Sequence, residues 1–370
     1  MKRFLSLTLL ILTLTLFLAS SFPAKAQDSI ISEQEESLGL KDAVEALPKD
    51  TLDELEGIGI DPSHPTEGMK KFTLADLWEK ISSYLFDSLS PPFKSLSVIL
   101  AIIFLSSLLP FEDKRIIKSV SVAGVSIAVI TPLLSLLKSF TASLSAATDF
   151  ITAMLPVFSS LMLSSGMAIS SSFISGCIIV ASQVISRIAS SFFLPFTCSG
   201  LSLSAVGSFV PELKTESIAA SARKFAIWAI CGILVVYLSF LGIQSGITSS
   251  LDGLTQKTAK LTVSSAIPIV GSIISDASDT VFGAAQLIKS GIGGFSFVAI
   301  ILIFIKPILL GAAWIAALKT ATFIASSFGN KEIETLTDAA QKTISVAIAL
   351  LAASAVALII SIAVMVRLRM

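Results

Sequence analysis

Met154–Gly166 reads MLPVFSSLMLSSG and Ala266–Ser278 reads AIPIVGSIISDAS. Each is an apolar segment cut by a proline and followed by small residues. Pro156 and Pro195 stand 39 residues apart, as do Pro268 and Pro307, so the two stretches point to an internal repeat of about 112 residues. Symmetry of this kind inside a very hydrophobic chain is the pattern of several transporter and channel families.

Composition supports that class. Hydrophobic residues make up 54% of the 370 positions and charged ones 14%, against a soluble average of about 25% charged. The expected fold is all-α: a polytopic integral membrane protein with an internal repeat and Pro-broken or re-entrant helices, preceded by a short extracytoplasmic helical segment. The net charge of zero hides a segregation, because most acidic residues precede Pro91 while the rest of the chain is mildly basic.

Residues 1–26 read as a cleavable signal peptide. Lys2 and Arg3 precede an apolar run from Phe4 to Ala19, and Ala24-Lys25-Ala26 supplies an A-x-A site, so the mature chain begins near Gln27 outside the cytoplasm. An uncleaved anchor helix is the alternative, although the run is short for a full span. Residues 27–92 form an acidic extracytoplasmic segment. Within it Leu38, Leu40, Val44, Leu47, Leu52 and Leu55 recur at helical spacing, with Pro48 as a break and Pro62 and Pro65 as an end. These pieces either dock on a partner or the membrane face, or form a solvated spacer. His64, in DPSHPTEG, is a loop residue, and with no converging ligands nearby no metal site is expected. Phe72–Leu89 carries Leu74, Leu77, Trp78, Ile81, Leu85 and Leu89 on one helical face and is expected to lie along the outer interface.

The multi-pass domain occupies 93–370, with repeat copies at about 114–210 and 223–318 and a final span at 343–366. Apolar runs of span length cover 95–111, 116–137, 184–210, 225–243, 295–318 and 343–366, with broken zones at 150–180 and 261–287. The positive-inside rule sets Lys114, Arg115 and Lys118 in the cytoplasm, together with Lys214, Arg223, Lys224, Lys319, Lys331 and Lys342. This requires each broken zone to enter and leave on one side, as a hairpin or helix pair, and makes the repeats parallel. Arg367 and Arg369 oppose the scheme, since it leaves the C-terminus outside; a broken zone acting as a single span would move it inside.

A proline removes a backbone donor, so carbonyls near Pro156, Pro195, Pro268 with Gly271, and Pro307 need another partner or water. Either they line an aqueous pathway or they are kinks packed by small residues. Ser159, Ser160, Ser164 and Ser165, with Ser272 and Ser275 in the second copy, suit both readings. Charges in or near the apolar zones are Asp149, Arg187, Asp276, Asp279, Lys289 and Lys306. Asp276 and Asp279 share a helix face and are expected to meet Lys289 or Lys306, either lining a polar route or forming structural ion pairs.

Several chemistries are excluded. There is no G-x-x-x-x-G-K-[ST] for nucleotide phosphates, and one histidine makes a Ser-His-Asp triad or His-based metal centre implausible. Cys177, Cys198 and Cys231 lie in apolar stretches and read as small buried thiols, and the scattered cations form no nucleic-acid patch. No enzymatic activity and no cofactor are expected.

The signal, the acidic segment, LPVFSSLMLSSG from Leu155, AIPIVGSIISDASDTVFGA from Ala266 and GIGG at Gly291 together resemble the stage III sporulation protein AE family of endospore-forming bacteria. The resemblance implies a permease-like membrane subunit of the secretion-like channel complex that joins mother cell and forespore and is required for forespore development after engulfment. It implies residence in the mother-cell membrane around the forespore, with the N-terminal segment in the intermembrane space. The implied partners are a cytoplasmic ATPase, ring-forming membrane proteins, a forespore protein and membrane lipid, without nucleic acid. The residues themselves leave open a self-contained secondary transporter or a non-conducting scaffold. The copies are not equivalent: only the second carries the aspartate pair and a lysine beside its downstream proline, so any polar route would have its more specialised wall there.

Overall fold

A computed structural model describes residues 40–108, 114–164, 167–188, 194–209, 217–226 and 271–367, with isolated positions between 191 and 239; for 271–290 it describes the backbone alone. The signal peptide, Pro268 and the rest of 251–270 lie outside the described residues. No strand occurs among those described, and an all-α polytopic membrane architecture follows from the helices below.

Three short helices come first: α1 Leu40–Glu45, α2 Lys49–Gly57 and α3 Pro65–Lys71. Their boundaries follow the prolines. Pro48 caps α2 and Pro65 opens α3, where a missing N–H costs nothing. Six longer helices follow: α4 Leu74–Leu108, α5 Lys114–Ser164, α6 Ala168–Ile188, α7 Leu194–Phe209, α8 Gly271–Ser327 and α9 Lys331–Arg367. Among the described residues, five helices are long and apolar enough to cross a membrane, namely α4, α5, α6, α8 and α9.

Ring contacts, hydroxyl pairs and glycine approaches fix the helix directions. Phe104 of α4 meets Phe328 edge-on at 4.9 Å just beyond α8, and Tyr84 of α4 lies beside Lys306 of α8, so α4 and α8 run in parallel. Phe150 of α5 meets Phe295 of α8 at 6.3 Å, while Gly124 faces Ile102 toward the other end, so α5 runs opposite to both. Gly329, at φ 72, turns the chain into α9, which returns beside α8. Thr322 Oγ1 donates to Thr337 Oγ1 at 2.8 Å near that turn, and Val366 packs on Gly293 at the far end. α6 returns along α5, with Ser159 and Ser175 hydroxyls 2.7 Å apart.

The sequence divided α5 into a span at 116–137 and a broken zone from Phe150, but the structure makes it one 51-residue helix through Pro132 and Pro156. Segment 141–149, TASLSAATD, is less apolar yet entirely compatible with helix, which a hydropathy window cannot show. Phe72–Leu89 is likewise no separate interfacial helix, because α4 continues through Pro91 and Pro92 into the first span. After Ser164 the chain returns in α6, packed along α5. Of the run read at 184–210, the end of α6 and α7 are described.

At about 1.5 Å per residue α8 extends roughly 85 Å and α5 roughly 75 Å, well over twice a hydrocarbon core of about 30 Å. Much of their length is therefore covered by protein. Phe150, Phe158, Phe295 and Phe304 are fully buried at the meeting of α5 and α8. In lipid, water drives no apolar surfaces together, so cohesion depends on close packing. Gly311 supplies a close approach to two neighbours at once: a Cβ there would lie 2.7 Å from Ile348 Cδ1 of α9 and 2.9 Å from Phe140 Cζ of α5.

Gly311→Val should therefore force α8 away from both neighbours and cost about 1–3 kcal/mol. Thermal unfolding in detergent checks this; an unchanged midpoint would show that the three helices do not meet there.

Candidate functional site

The acidic segment does not stand apart from the membrane helices. Of the expected stripe, Leu40, Leu47 and Leu55 are buried, Val44 and Leu52 half-buried, and Leu38 lies outside the described residues; Ala43 and Ile60 are buried beside them. α1 rests on α5, while α2 and α3 rest on α8. Thr66 of α3 sits where a Cβ on Gly291 would be, 2.7 Å from the Thr66 Cγ2. The stripe was legible, whereas its partner, the bundle of the same chain, was not.

One side chain on that stripe is a carboxylate. Glu54 follows Thr51 by three positions and Leu47 by seven, so helical spacing turns it inward, and it is 8% exposed. It faces Tyr84 of α4, whose buried Oη has no partner at hydrogen-bonding geometry. Two cations flank the Tyr84 ring: Lys80 Nζ lies 5.5 Å from its centroid and Lys306 Nζ 5.9 Å. Burial pushes the Glu54 carboxyl above its ordinary value, and Asp50 adds to the rise; the Tyr84 hydroxyl, Lys306 and Lys80 oppose it. Sequence reasoning missed Glu54, Tyr84 and Lys80, although a carboxylate in register with an apolar stripe was a visible signal.

Lys306 thus belongs to a different constellation from the one its sequence suggested. α8 is helical from Gly271 to Ser327 without interruption, so about 40 Å of helix separates Asp279 from Lys306 and about 45 Å separates Asp276 from it. Neither aspartate forms an ion pair with Lys306. Lys289 is about 15 Å beyond Asp279 along the same axis, too far for direct contact. The side chains of Asp276, Asp279 and Lys289 lie outside the described residues, as does Pro268, and Gly271 is the first residue of α8.

The remaining expected residues separate along the bundle. Pro156 and Pro307 are inside continuous helices, Pro156 exposed and Pro307 buried, and Pro195 lies in the first turn of α7. Their local effect is a lost hydrogen bond, not a break. In the second repeat the corresponding arm, α8, is unbroken. Asp149 is exposed and weakly linked to Ser145 Oγ at 3.5 Å, and Arg187 is exposed on the last turn of α6. No three His, Cys, Asp or Glu side chains converge on a metal-sized site among the described residues.

The serines beside Pro156 bridge helices. Ser159 Oγ pairs with Ser175 Oγ, and Ser171 Oγ donates to the Ser159 carbonyl at 3.0 Å. Ser164 ends α5, and Met167 N–H donates to the Met162 carbonyl at 2.9 Å to close the turn. A second hydroxyl pair, Tyr237 with Ser361, ties the middle of the chain to α9; Ser361 donates to the Ala357 carbonyl, so Tyr237 is the donor to Ser361.

Comparison with known proteins gives a consistent result. A family model described as stage III sporulation protein AE matches residues 63–368. The stage III sporulation protein AE of Bacillus subtilis (strain 168) is 27% identical over 285 residues, covering 75% of this chain and 71% of that protein. No solved structure matches.

Ser159→Ala, Ser175→Ala and the double variant should form a cycle with a coupling of about 0.6 kcal/mol, the usual size of a polar contact between membrane helices. Unfolding midpoints in detergent measure it, and additive effects would show that the Ser159 and Ser175 hydroxyls do not pair across α5 and α6.

Proposed function

Because the chain belongs to the stage III sporulation protein AE family, we propose that it is the permease-like, multi-pass subunit of the channel complex connecting mother cell and forespore. The observation that carries this reading is the family match across nearly all of the membrane domain, residues 63–368. Five apolar helices of spanning length agree with a membrane component. The chain would work with a cytoplasmic ATPase, ring-forming membrane proteins and a forespore partner. Its sequence carries no phosphate-binding loop, so energy comes from elsewhere.

Orientation follows from charge. α5 begins with Lys114, Arg115 and Lys118 beside the end of α4, and α9 begins at Lys331 beside the same end. With that end cytoplasmic, α1–α3 face the intermembrane space. α9 then ends on the outer side with Arg367, so the short cytoplasmic loops outweigh the tail in setting topology. The aspartates of α8 lie at the outer end, about 70 Å along the helix from the α8–α9 turn, where they suit a polar vestibule better than a mid-membrane relay.

Reconstitution separates this reading from its competitors. Small-solute flux in liposomes is expected only when the ring and ATPase partners are added; flux with this chain alone would establish a self-contained transporter instead. Asp276→Asn combined with Asp279→Asn should lower flux by tenfold or more while leaving assembly intact. Unchanged flux and normal sporulation in that variant would contradict a conducting role for the second repeat.

A further inference from the structure

We propose that residues 40–72 form a strap fastened across α4, α5 and α8, with Glu54 as the fastening, and that protonation of Glu54 tightens it. This holds whether or not the bundle conducts anything.

The strap cannot order itself. Its helices contain six, nine and seven residues, each below the length at which an isolated helix persists in water. Their order comes from docking, through the apolar stripe and two grips on α8. One grip is Thr66 against Gly291, and the other is the Glu54 cluster at Lys306; about 22 Å of α8 lies between them. Lys306 adjoins the buried Pro307, where α8 lacks a backbone donor, so the second grip bears on a locally softer point of that helix.

The charges around Glu54 are Asp50 on its own helix, Lys80 on α4 and Lys306 on α8, with Asp87 acting on the far side of Tyr84. The lysines stop short of neutralising the cost of burial, since the carboxyl remains above its ordinary value. The sign follows by linkage. A carboxyl whose docked pKa is raised favours docking when protonated, so the strap is tightest below the usual carboxylate range and loosens as pH rises through the raised value. The Tyr84 hydroxyl is the hydrogen-bonding neighbour of Glu54 and favours its charged form, so it works against burial and does not cancel it.

Paired spin labels at Glu56→Cys and Thr335→Cys, both exposed, report the strap against the far end of the bundle in the cysteine-free full chain in nanodiscs. Between pH 5 and 8.5 the narrow distance of the docked strap should give way reversibly to a broad, longer population. Glu54→Gln should stay narrow throughout, and Glu54→Lys broad throughout. Lys306→Met and Tyr84→Phe should each enlarge the open population at high pH and leave the acidic distance unchanged, because each removes support for the carboxylate alone. A wild-type distance independent of pH would overturn the proposal. So would a Glu54→Gln chain that opens as the wild type does, or a Lys306→Met chain that opens equally at every pH.

Discussion

A peptide group in hydrocarbon has no water to turn to, and where α8 crosses the membrane that constraint favours keeping this 57-residue helix unbroken through Pro307. Breaking it at Pro307 would expose several carbonyls and amides, whereas keeping it costs one hydrogen bond. α8 packs on α9 above all, and also on α4, α5 and the short helices α2 and α3. Because those contacts lie at successive levels, the helix acts as the common axis from which the positions of its neighbours follow. Gly311 and Gly293 are the places where that axis comes nearest to α9, and Gly291 is where it admits the strap.

How far the sequence reveals this depends on the range of the interaction. Local signals read well: Pro48 and Pro65 mark the short helices, the leucine stripe faces inward, and His64 stands in a turn ahead of α3. Helix continuity reads poorly. Thr141, Ser143, Ser145 and Asp149 lower hydropathy enough to suggest a boundary, but a polar residue in a helix half covered by protein ends nothing. Proline misleads for a related reason, since Pro156 and Pro307 are conspicuous in sequence yet each removes only one donor. The partners of Lys306 were beyond reach, because Glu54 and Tyr84 are more than 200 residues away along the chain and neither lies in the repeat. A period of about 112 residues shows what resembles what; it does not show what touches what.

The two halves of the proposed function consequently occupy different places on α8. The aspartates near its start belong to the end read as facing the intermembrane space, and Lys306 belongs to the grip that holds the N-terminal segment. The second copy keeps its arm as one helix, and that helix carries the strap. The lysine beside Pro307, where the first copy has Leu194 beside Pro195, lies on the helix that holds the strap.

The continuity of α8 is the claim on which these assignments rest. Spin labels at Thr280 and Ala312, the latter exposed on the helix surface, measure it directly in the full chain in nanodiscs. One unbroken helix predicts a single narrow distance of about 48 Å. A distance below about 30 Å would mean that the chain folds back between them, and would return Asp276 and Asp279 to the neighbourhood of Lys306.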